Sequence, residues 1–488
     1  MRATRLVALL AIPAQVVVAQ QSAPSQLSLE DAIGTARRSN PGYLQTANTI
    51  KSADANVRAT YGALLPRSDA SISTRYQQGG TQFFQGAQIG GSGDTKQSGY
   101  NLNVSYGISA AALYAPKAAR ASRSATEASI VDGAESLRAA VTLAYISTLQ
   151  ARATAALQDT LVQTAQGQLE LAKAKVAVGA GTTLDIRRAE VALGQAQVAT
   201  ITAHNTAEVE ALRLYQNIGI PKPATVDLTT RFTIATPTFS LDSVLDLARR
   251  VNPALNSLRS NEYSATMQVK VARTAYTPTL SVGTGWAGNS SAYLDPEFLI
   301  GQQRQSALGQ QRSCFSQDSL RTRVGLPSLG CNGITFTDAD AEAIRASNNA
   351  KFPFKFTRSP LGIGASLSIP VFNGFQRENQ VQAAQVAKEN ATYSVRAREL
   401  QLTTDVTQAY LNLIASTKTV ALREQIAGQA SEELTFAQER YRVGAATFLD
   451  VTTSHGQFQQ ALIDRVNAIY DYHKAFATLE SAVGRPLR

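Results

Sequence analysis

Chemistry in a chain shows first in its histidines, cysteines, carboxylates and glycine-rich turns. The three histidines, His204, His455 and His473, stand singly in helical sequence, with no Cys, Glu or Asp partner at metal-ligand spacing. Gly179-Ala180-Gly181-Thr182 lacks the lysine of a phosphate loop. No nucleophile elbow or catalytic pairing is visible. The chain therefore reads as a non-enzyme, without metal or cofactor. Its two cysteines, Cys314 and Cys331, allow one intramolecular bridge in an oxidising compartment.

What remains is a short stretch that occurs twice. Residues 178–186 read V-G-A-G-T-T-L-D-I and residues 443–451 read V-G-A-A-T-F-L-D-V. Both interrupt long Ala-rich helical sequence, so each reads as the tip of a helical hairpin. Gly179 and Gly444 end one helix. The Thr or Asp beyond caps the next, and Asp185 and Asp450 suit the positive end of that helix.

The start of the chain has the three regions of a secretory signal peptide, residues 1–19: Arg2 and Arg5, the apolar run Leu6–Ile12, and Val17-Val18-Ala19. No later stretch is apolar for long enough to form a transmembrane helix. An exported chain of this kind is periplasmic, secreted, or an outer-membrane barrel. The net charge is +10, but the basic residues are scattered along helices among acidic ones. No basic block with interleaved aromatics points to nucleic acid.

The elements that carry the tips come in two copies. The first repeat, 20–230, has helices over 28–63, strands at about 66–77 and 99–109 around a Gly/Gln/Ser-rich loop at 78–98, and a hairpin at about 117–218. The second, 231–488, has strands at about 278–288 and 360–370, a loop at about 289–359, and a hairpin at about 374–483. Ser28, Ala36-Arg37-Arg38 and Pro66 recur 212 residues later as Ser240, Ala248-Arg249-Arg250 and Pro278. The tips are 265 residues apart, whereas Leu113-Tyr114 and Val371-Phe372 are 258 apart. The second outgoing helix should therefore be about seven residues, one heptad, longer than the first. Each return helix is too short to flank its partner. The helices after Pro41 and Pro253 can stack on them end to end.

Tyr100, Leu102, Val104, Tyr106 and Ile108 alternate with Asn, Ser and Gly, giving one apolar and one polar face. That is the pattern of an outer-membrane barrel strand. Four strands cannot close a barrel and open edges fail in lipid, so the barrel must be shared between chains. Three copies give twelve strands and an aqueous lumen, and closure alone leaves four copies open.

The tandem repeat, the strand-to-helix join Ile369-Pro370-Val371-Phe372-Asn373-Gly374-Phe375 and the tips Tyr441-Arg442-Val443-Gly444 through Leu449-Asp450-Val451 resemble the TolC-like outer-membrane efflux protein family. The resemblance covers nearly all of the chain beyond the signal sequence. The fold class it implies is mainly α with a membrane β-barrel. The protomer is a tandem repeat of long coiled-coil hairpins plus four strands, contributed to a twelve-stranded barrel of a homotrimer.

The family implies an outer-membrane, partly periplasmic channel-tunnel that exports small molecules. Its partners would be outer-membrane lipid, a periplasmic adaptor, and an inner-membrane pump or ABC exporter. A type I protein secretion conduit uses the same tunnel, and a trimeric coiled-coil surface protein is the rival of another class. By resemblance, Val178, Gly179, Gly181, Leu184, Val443, Gly444 and Leu449 dock the adaptor, and Asp185 and Asp450 ring the entrance. The family's extra charges are missing: Ala446 stands where an Arg is common, and Thr453 where a second acid is common.

Overall fold

A computed structural model describes residues 26–487; the expected signal peptide, residues 1–19, lies outside the described residues. In chain order, strand β1 (Gln26–Leu27) leads to helices α1 (Leu29–Ser39) and α2 (Pro41–Gly62). Strands β2 (Arg67–Gln77), β3 (Gly80–Phe84), β4 (Ala87–Ser92) and β5 (Thr95–Ser109) follow. The first hairpin is α3 (Ala110–Ala177) and α4 (Thr183–Ile218), then comes β6 (Asp227–Leu228). The second repeat opens with α5 (Leu241–Val251), α6 (Pro253–Arg273) and β7 (Thr279–Tyr293). After α7 (Glu297–Arg323), α8 (Asp338–Lys351), β8 (Thr357–Arg358) and β9 (Gly362–Ser368), it closes with α9 (Gln376–Arg442) and α10 (Phe448–Val483).

The compact units cut across the sequence repeats. One comprises residues up to Ala55, Arg120–Thr266 and Gln385 onward; the other comprises Asn56–Ala119 and Met267–Ala384. In the helical unit the duplication extends to the packing. Ala32 and Ala36 of α1 are buried with Val141 and Tyr145 of α3 and Leu214 and Ile218 of α4. Val244 and Ala248 of α5, 212 residues on, are buried with Leu402, Val406 and Leu413 of α9 and with Tyr472 and Leu479 of α10.

The end-to-end stacking of short helices is visible in two part-buried contacts. Asn40 Nδ2 donates to the Asn217 carbonyl (2.8 Å), and Asn252 Nδ2 to the Ala482 carbonyl (2.9 Å). Each Asn Oδ1 also accepts an N–H of the helix it opens, from Tyr43 (2.9 Å) and Leu255 (3.0 Å). One side chain thus caps the start of one helix and the end of another.

In the other unit, β2, β5, β7 and β9 form an antiparallel sheet in that order, and β8 pairs with the rest of the β7 edge that β9 uses. The registers place the apolar residues on one face. Ile108–Leu280–Leu367, Tyr106–Val282–Ala365, Ser68–Val104–Thr284–Ile363 and Ala70–Leu102–Trp286 are successive rows, ending at Ile72–Tyr100–Gly288. The other face carries rows such as Asp69–Asn103–Gly285–Gly362 and Ser71–Asn101–Ala287. The apolar face is left open: Ile72, Ile363 and Leu367 are all more than half exposed.

Four expectations need correction. The segment 78–98 is not a plain loop but holds the β3–β4 hairpin, turned at Gln85-Gly86, both with positive φ. The segment 289–359 is largely helical; α7 and α8 have few apolar residues and so show no period in the sequence. The outgoing helices are nearly equal, 68 and 67 residues, rather than a heptad apart. Ser109 caps α3 directly at the strand end, accepting the Ala112 N–H (3.1 Å), so the helix starts before Pro116. In the second repeat the extra residues form a non-helical join at 369–375, closed where Arg377 donates to the Pro370 carbonyl (2.9 Å).

Asn252→Ala should leave the Ala482 carbonyl and Leu255 N–H unpaired and destabilise the helical unit by about 1–3 kcal/mol. Thermal unfolding checks this, with the exposed Asn390→Ala as a silent control.

Candidate functional site

Both tips are built the same way. At the end of α3 the Gly179 N–H reaches the Val176 carbonyl (3.0 Å) and the Ala180 N–H the Lys175 carbonyl (2.8 Å). At the end of α9 the Gly444 N–H reaches the Tyr441 carbonyl (3.3 Å) and the Ala445 N–H the Arg440 carbonyl (2.7 Å). These are Schellman closures, and they require left-handed backbone at Gly179 (φ 75°) and Gly444 (φ 78°).

The return helices then begin with reciprocal capping boxes. Asp185 Oδ2 accepts the Thr182 N–H (2.9 Å) and hydroxyl (2.8 Å), while the Asp185 N–H donates to Thr182 Oγ1 (3.3 Å). Asp450 Oδ2 accepts the Thr447 N–H (2.7 Å) and hydroxyl (2.9 Å), and its N–H donates to Thr447 Oγ1 (3.3 Å). Both candidate entrance carboxylates are therefore capping groups within the protomer. The Thr447 N–H and hydroxyl, with the Arg440 guanidinium, hold the Asp450 carboxyl below the usual carboxylate range.

The two tips pack on each other. Leu169 and Ala172 of α3 and Ala189 of α4 are buried against Leu434 and Tyr441 of α9 and Phe448 and Val451 of α10. Lys175 crosses between the hairpins. Its Nζ donates to the Tyr441 carbonyl (2.8 Å) and lies 3.5 Å from the centre of the Tyr441 ring. The cation thus meets both the negative end of α9 and an aromatic face. Tyr441 Oη is buried without a hydrogen-bond partner among the described residues, and burial, with the Asp185 charge, pushes its pKa up.

The predicted docking residues fall on the outside of this cluster. Val178 is 78% exposed, Val443 71%, Leu184 57% and Leu449 50%. Each tip so presents one Val and one Leu to solvent beside its glycine. Gly181 has Val176 and Lys175 atoms 3.2–3.3 Å from where a Cβ would stand, and its counterpart Ala446 packs on the buried cluster instead of carrying a charge. Thr453 spends its hydroxyl on the Leu449 carbonyl (2.9 Å).

Lys175 was not singled out by the sequence, because a lysine near a helix end looks like ordinary solvation. The T-x-x-D spacing at 182–185 and 447–450 was the legible signal for the caps. Elsewhere, Cys314 and Cys331 are disulfide-bonded with Cα atoms 5.7 Å apart, tying the end part of α7 to the segment before α8. His204 contacts Asp159 (2.9 Å), and His455 is buried, which pulls its pKa down. Among the described residues no group of His, Cys, Asp and Glu is placed to hold a metal.

The family profile described as Outer membrane efflux protein matches residues 32–220 and 338–485. Outer membrane protein TolC of Escherichia coli (strain K12) is 25% identical over 122 residues, a quarter of each chain. The structure is similar to that of the outer membrane protein VceC from Vibrio cholerae, with TM-score 0.69, 16% identity, and 94% of this chain and 97% of that one covered. It is also similar to the open state of the Neisseria gonorrhoeae MtrE outer membrane channel, with TM-score 0.68, 17% identity, and 94% and 89% covered. At these identities the structural likeness speaks for the fold.

Thr447→Ala should cost about 1 kcal/mol of tip stability, read as faster amide exchange over 447–451, with Thr453→Ala as control. Because the folded pKa of Asp450 is lowered, its contribution is complete above the ordinary carboxylate pKa. It is lost only as pH falls through the lower folded value. The cap should survive unchanged from neutral pH to about pH 5, near one unit above the reference Asp pKa; a loss of Thr447 amide protection in that window would contradict it.

Proposed function

Since this chain belongs to the outer membrane efflux protein family, we propose that it is the outer-membrane channel-tunnel of a tripartite export system. In this reading it is a passive conduit. Small molecules enter from an inner-membrane pump through a periplasmic adaptor and leave through the barrel. The driving energy comes from the inner-membrane partner.

The observation that carries the proposal is the sheet. All four strands contribute to its apolar face, and among the described residues its outer strands, β2 and β9, each have one edge without a strand partner. Lipid suits the first and does not tolerate the second. Copies of the chain related by rotation would pair β9 of one with β2 of the next. The strands alternate in direction, so this junction is antiparallel like every other, and three copies close twelve strands. The polar rows of Asn, Ser and Gly then line the lumen. Phe372, Phe375 and Tyr114, exposed near the helical ends of the sheet, suit the inner-leaflet aromatic girdle.

The tips serve this function as its periplasmic mouth. Their exposed Val178, Leu184, Val443 and Leu449 offer the adaptor apolar anchors on a rigid, doubly capped turn. Gly179 and Gly444 have open space around them, so an adaptor side chain can approach the backbone there. The Oδ1 atoms of Asp185 and Asp450 accept no hydrogen bond among the described residues. In a trimer they would supply two rings of three carboxylates to the entrance.

Val443→Asp combined with Leu449→Asp keeps the glycine and the cap and should leave the assembly and its bilayer conductance intact. It should abolish capture of the adaptor and make cells as drug-sensitive as a deletion strain. Wild-type export by this variant would overturn docking at the tips.

A further inference from the structure

The segment that follows α8 folds back onto the sheet at the end where its loops leave. Asn348, almost fully buried, donates through Nδ2 to the Tyr293 carbonyl (2.9 Å) and accepts the Tyr293 N–H (2.8 Å). Ser290 Oγ donates to the Lys351 carbonyl (2.6 Å), Ser98 Oγ to the Pro353 carbonyl, and the Ser359 N–H to the Ala287 carbonyl (2.8 Å). Phe356 meets Tyr100 edge to face at 5.1 Å, and the Lys96 ammonium lies 5.1 Å over the Phe352 ring. The run Lys351-Phe352-Pro353-Phe354-Lys355-Phe356-Thr357-Arg358 is thereby fixed against the sheet rather than left as a free loop.

The registers say which face it covers. Ser98, Tyr100 and Ser290 share the strand parity of the apolar face, and Arg358 pairs with Gly288 in the row of Ile72 and Tyr100. That row is the last of the apolar band. From Ile108 to Tyr100 the band covers about 27 Å along the strand, at roughly 3.4 Å per residue. With barrel tilt this matches the apolar belt of an outer-membrane barrel. The next rows on the same face, Thr74–Ser98–Ser290 and Tyr76–Lys96–Ala292, therefore fall at headgroup depth.

Lys351, Lys355 and Arg358 are exposed, and none makes an ion pair within the described residues. Two carboxylates of the adjoining segments have partners of their own. Asp94 accepts from the Tyr76 hydroxyl (2.5 Å) and the Gly79 N–H (2.8 Å), and Glu297 pairs with Arg345 (2.6 Å). Phe354 stands 79% exposed between the two lysines. Cations at headgroup depth with an aromatic side chain beside them match an anionic amphiphile: phosphates for the charges, the acyl boundary for the ring.

We propose that residues 351–358, with Lys96, bind the phosphorylated headgroup of an anionic outer-leaflet lipid. The proposal rests on the reading of the apolar face as the lipid-facing one. The bound lipid would fill the rim between the strands and the α7–α8 segment and hold that segment against the membrane surface.

The test uses the full-length assembly, delipidated in mild detergent and incubated with bisphosphorylated lipid A, dephosphorylated lipid A or inorganic phosphate. Retention is read by native mass spectrometry. Wild type and the charge-conserving K351R/K355R/R358K variant should retain the bisphosphorylated lipid. Lys351→Gln with Lys355→Gln and Arg358→Gln should weaken retention by about a hundred-fold, and the dephosphorylated lipid should not distinguish the variants. Equal retention by the Gln variant overturns the site, and so does complete displacement by inorganic phosphate, which would mark a free-phosphate site. Conductance in planar bilayers is recorded in parallel. A conducting wild type whose lipid retention ignores the three substitutions overturns this site alone. A wild type that forms no channel overturns the lipid-facing reading beneath it.

Discussion

Hydrocarbon offers no partner to a backbone N–H or carbonyl, and the sheet of this protein has two edges that need one. The ladders β2–β5, β5–β7 and β7–β9 satisfy the interior, but the far sides of β2 and β9 stay unpaired among the described residues of one chain. Nothing in the protomer can fold over them at the apolar rows, because the apolar face itself must meet lipid. The strand alternation that separates Ile72, Leu102, Trp286 and Ile363 from Asn101, Asn103 and Ser71 is therefore meaningful only in a closed assembly. Quaternary structure is in this sense written into a secondary-structure pattern.

The helices answer a different constraint. α3 and α9 are each about 100 Å long at 1.5 Å per residue, and their Ala-rich surfaces bury little apolar area per residue. Their stability has to come from neighbours along the whole length. Within the helical unit the duplicated clusters around Tyr145 and Tyr472 supply it, with Asn40 and Asn252 splicing short helices into continuous neighbours. At the tips the same economy recurs: a glycine closure, a Thr-Asp cap and one lysine fix two turns while leaving Val and Leu outward. Rigidity beneath exposed apolar side chains is what a docking surface needs, since little entropy is then lost on binding.

Much of this was legible in the sequence, because it depends on period and spacing. The hairpins, the strand faces and the twofold repeat all follow from local pattern. The misses have physical causes. The heptad difference was real in the residue count but was absorbed in the non-helical join at 369–375: β9 also ends on a serine, Ser368, but Ile369-Pro370 follows it and the helix begins only at Gln376. The β3–β4 hairpin hid behind Gly and Gln, and α7 behind a polar composition in which helix stability does not show as a stripe. Lys175 could not be read at all, because its role arises from the approach of two hairpins more than 260 residues apart in the chain. Of the candidate site, the turns and the capping Thr-x-x-Asp pairs are legible in the sequence; that the two tips pack on each other required coordinates.

The most direct measurement is edge-to-edge crosslinking in native outer membranes. With Cys314 and Cys331 already joined, a cysteine at Ser71 on β2 can be combined in turn with one at Gly362, Gly364 or Ser366 on β9, all on the polar face. The account predicts that at least one pair oxidises to a covalent ladder ending at three chains, and that each single variant gives none. Only monomers from every pair, in protein that still inserts and conducts, would contradict a barrel closed between copies.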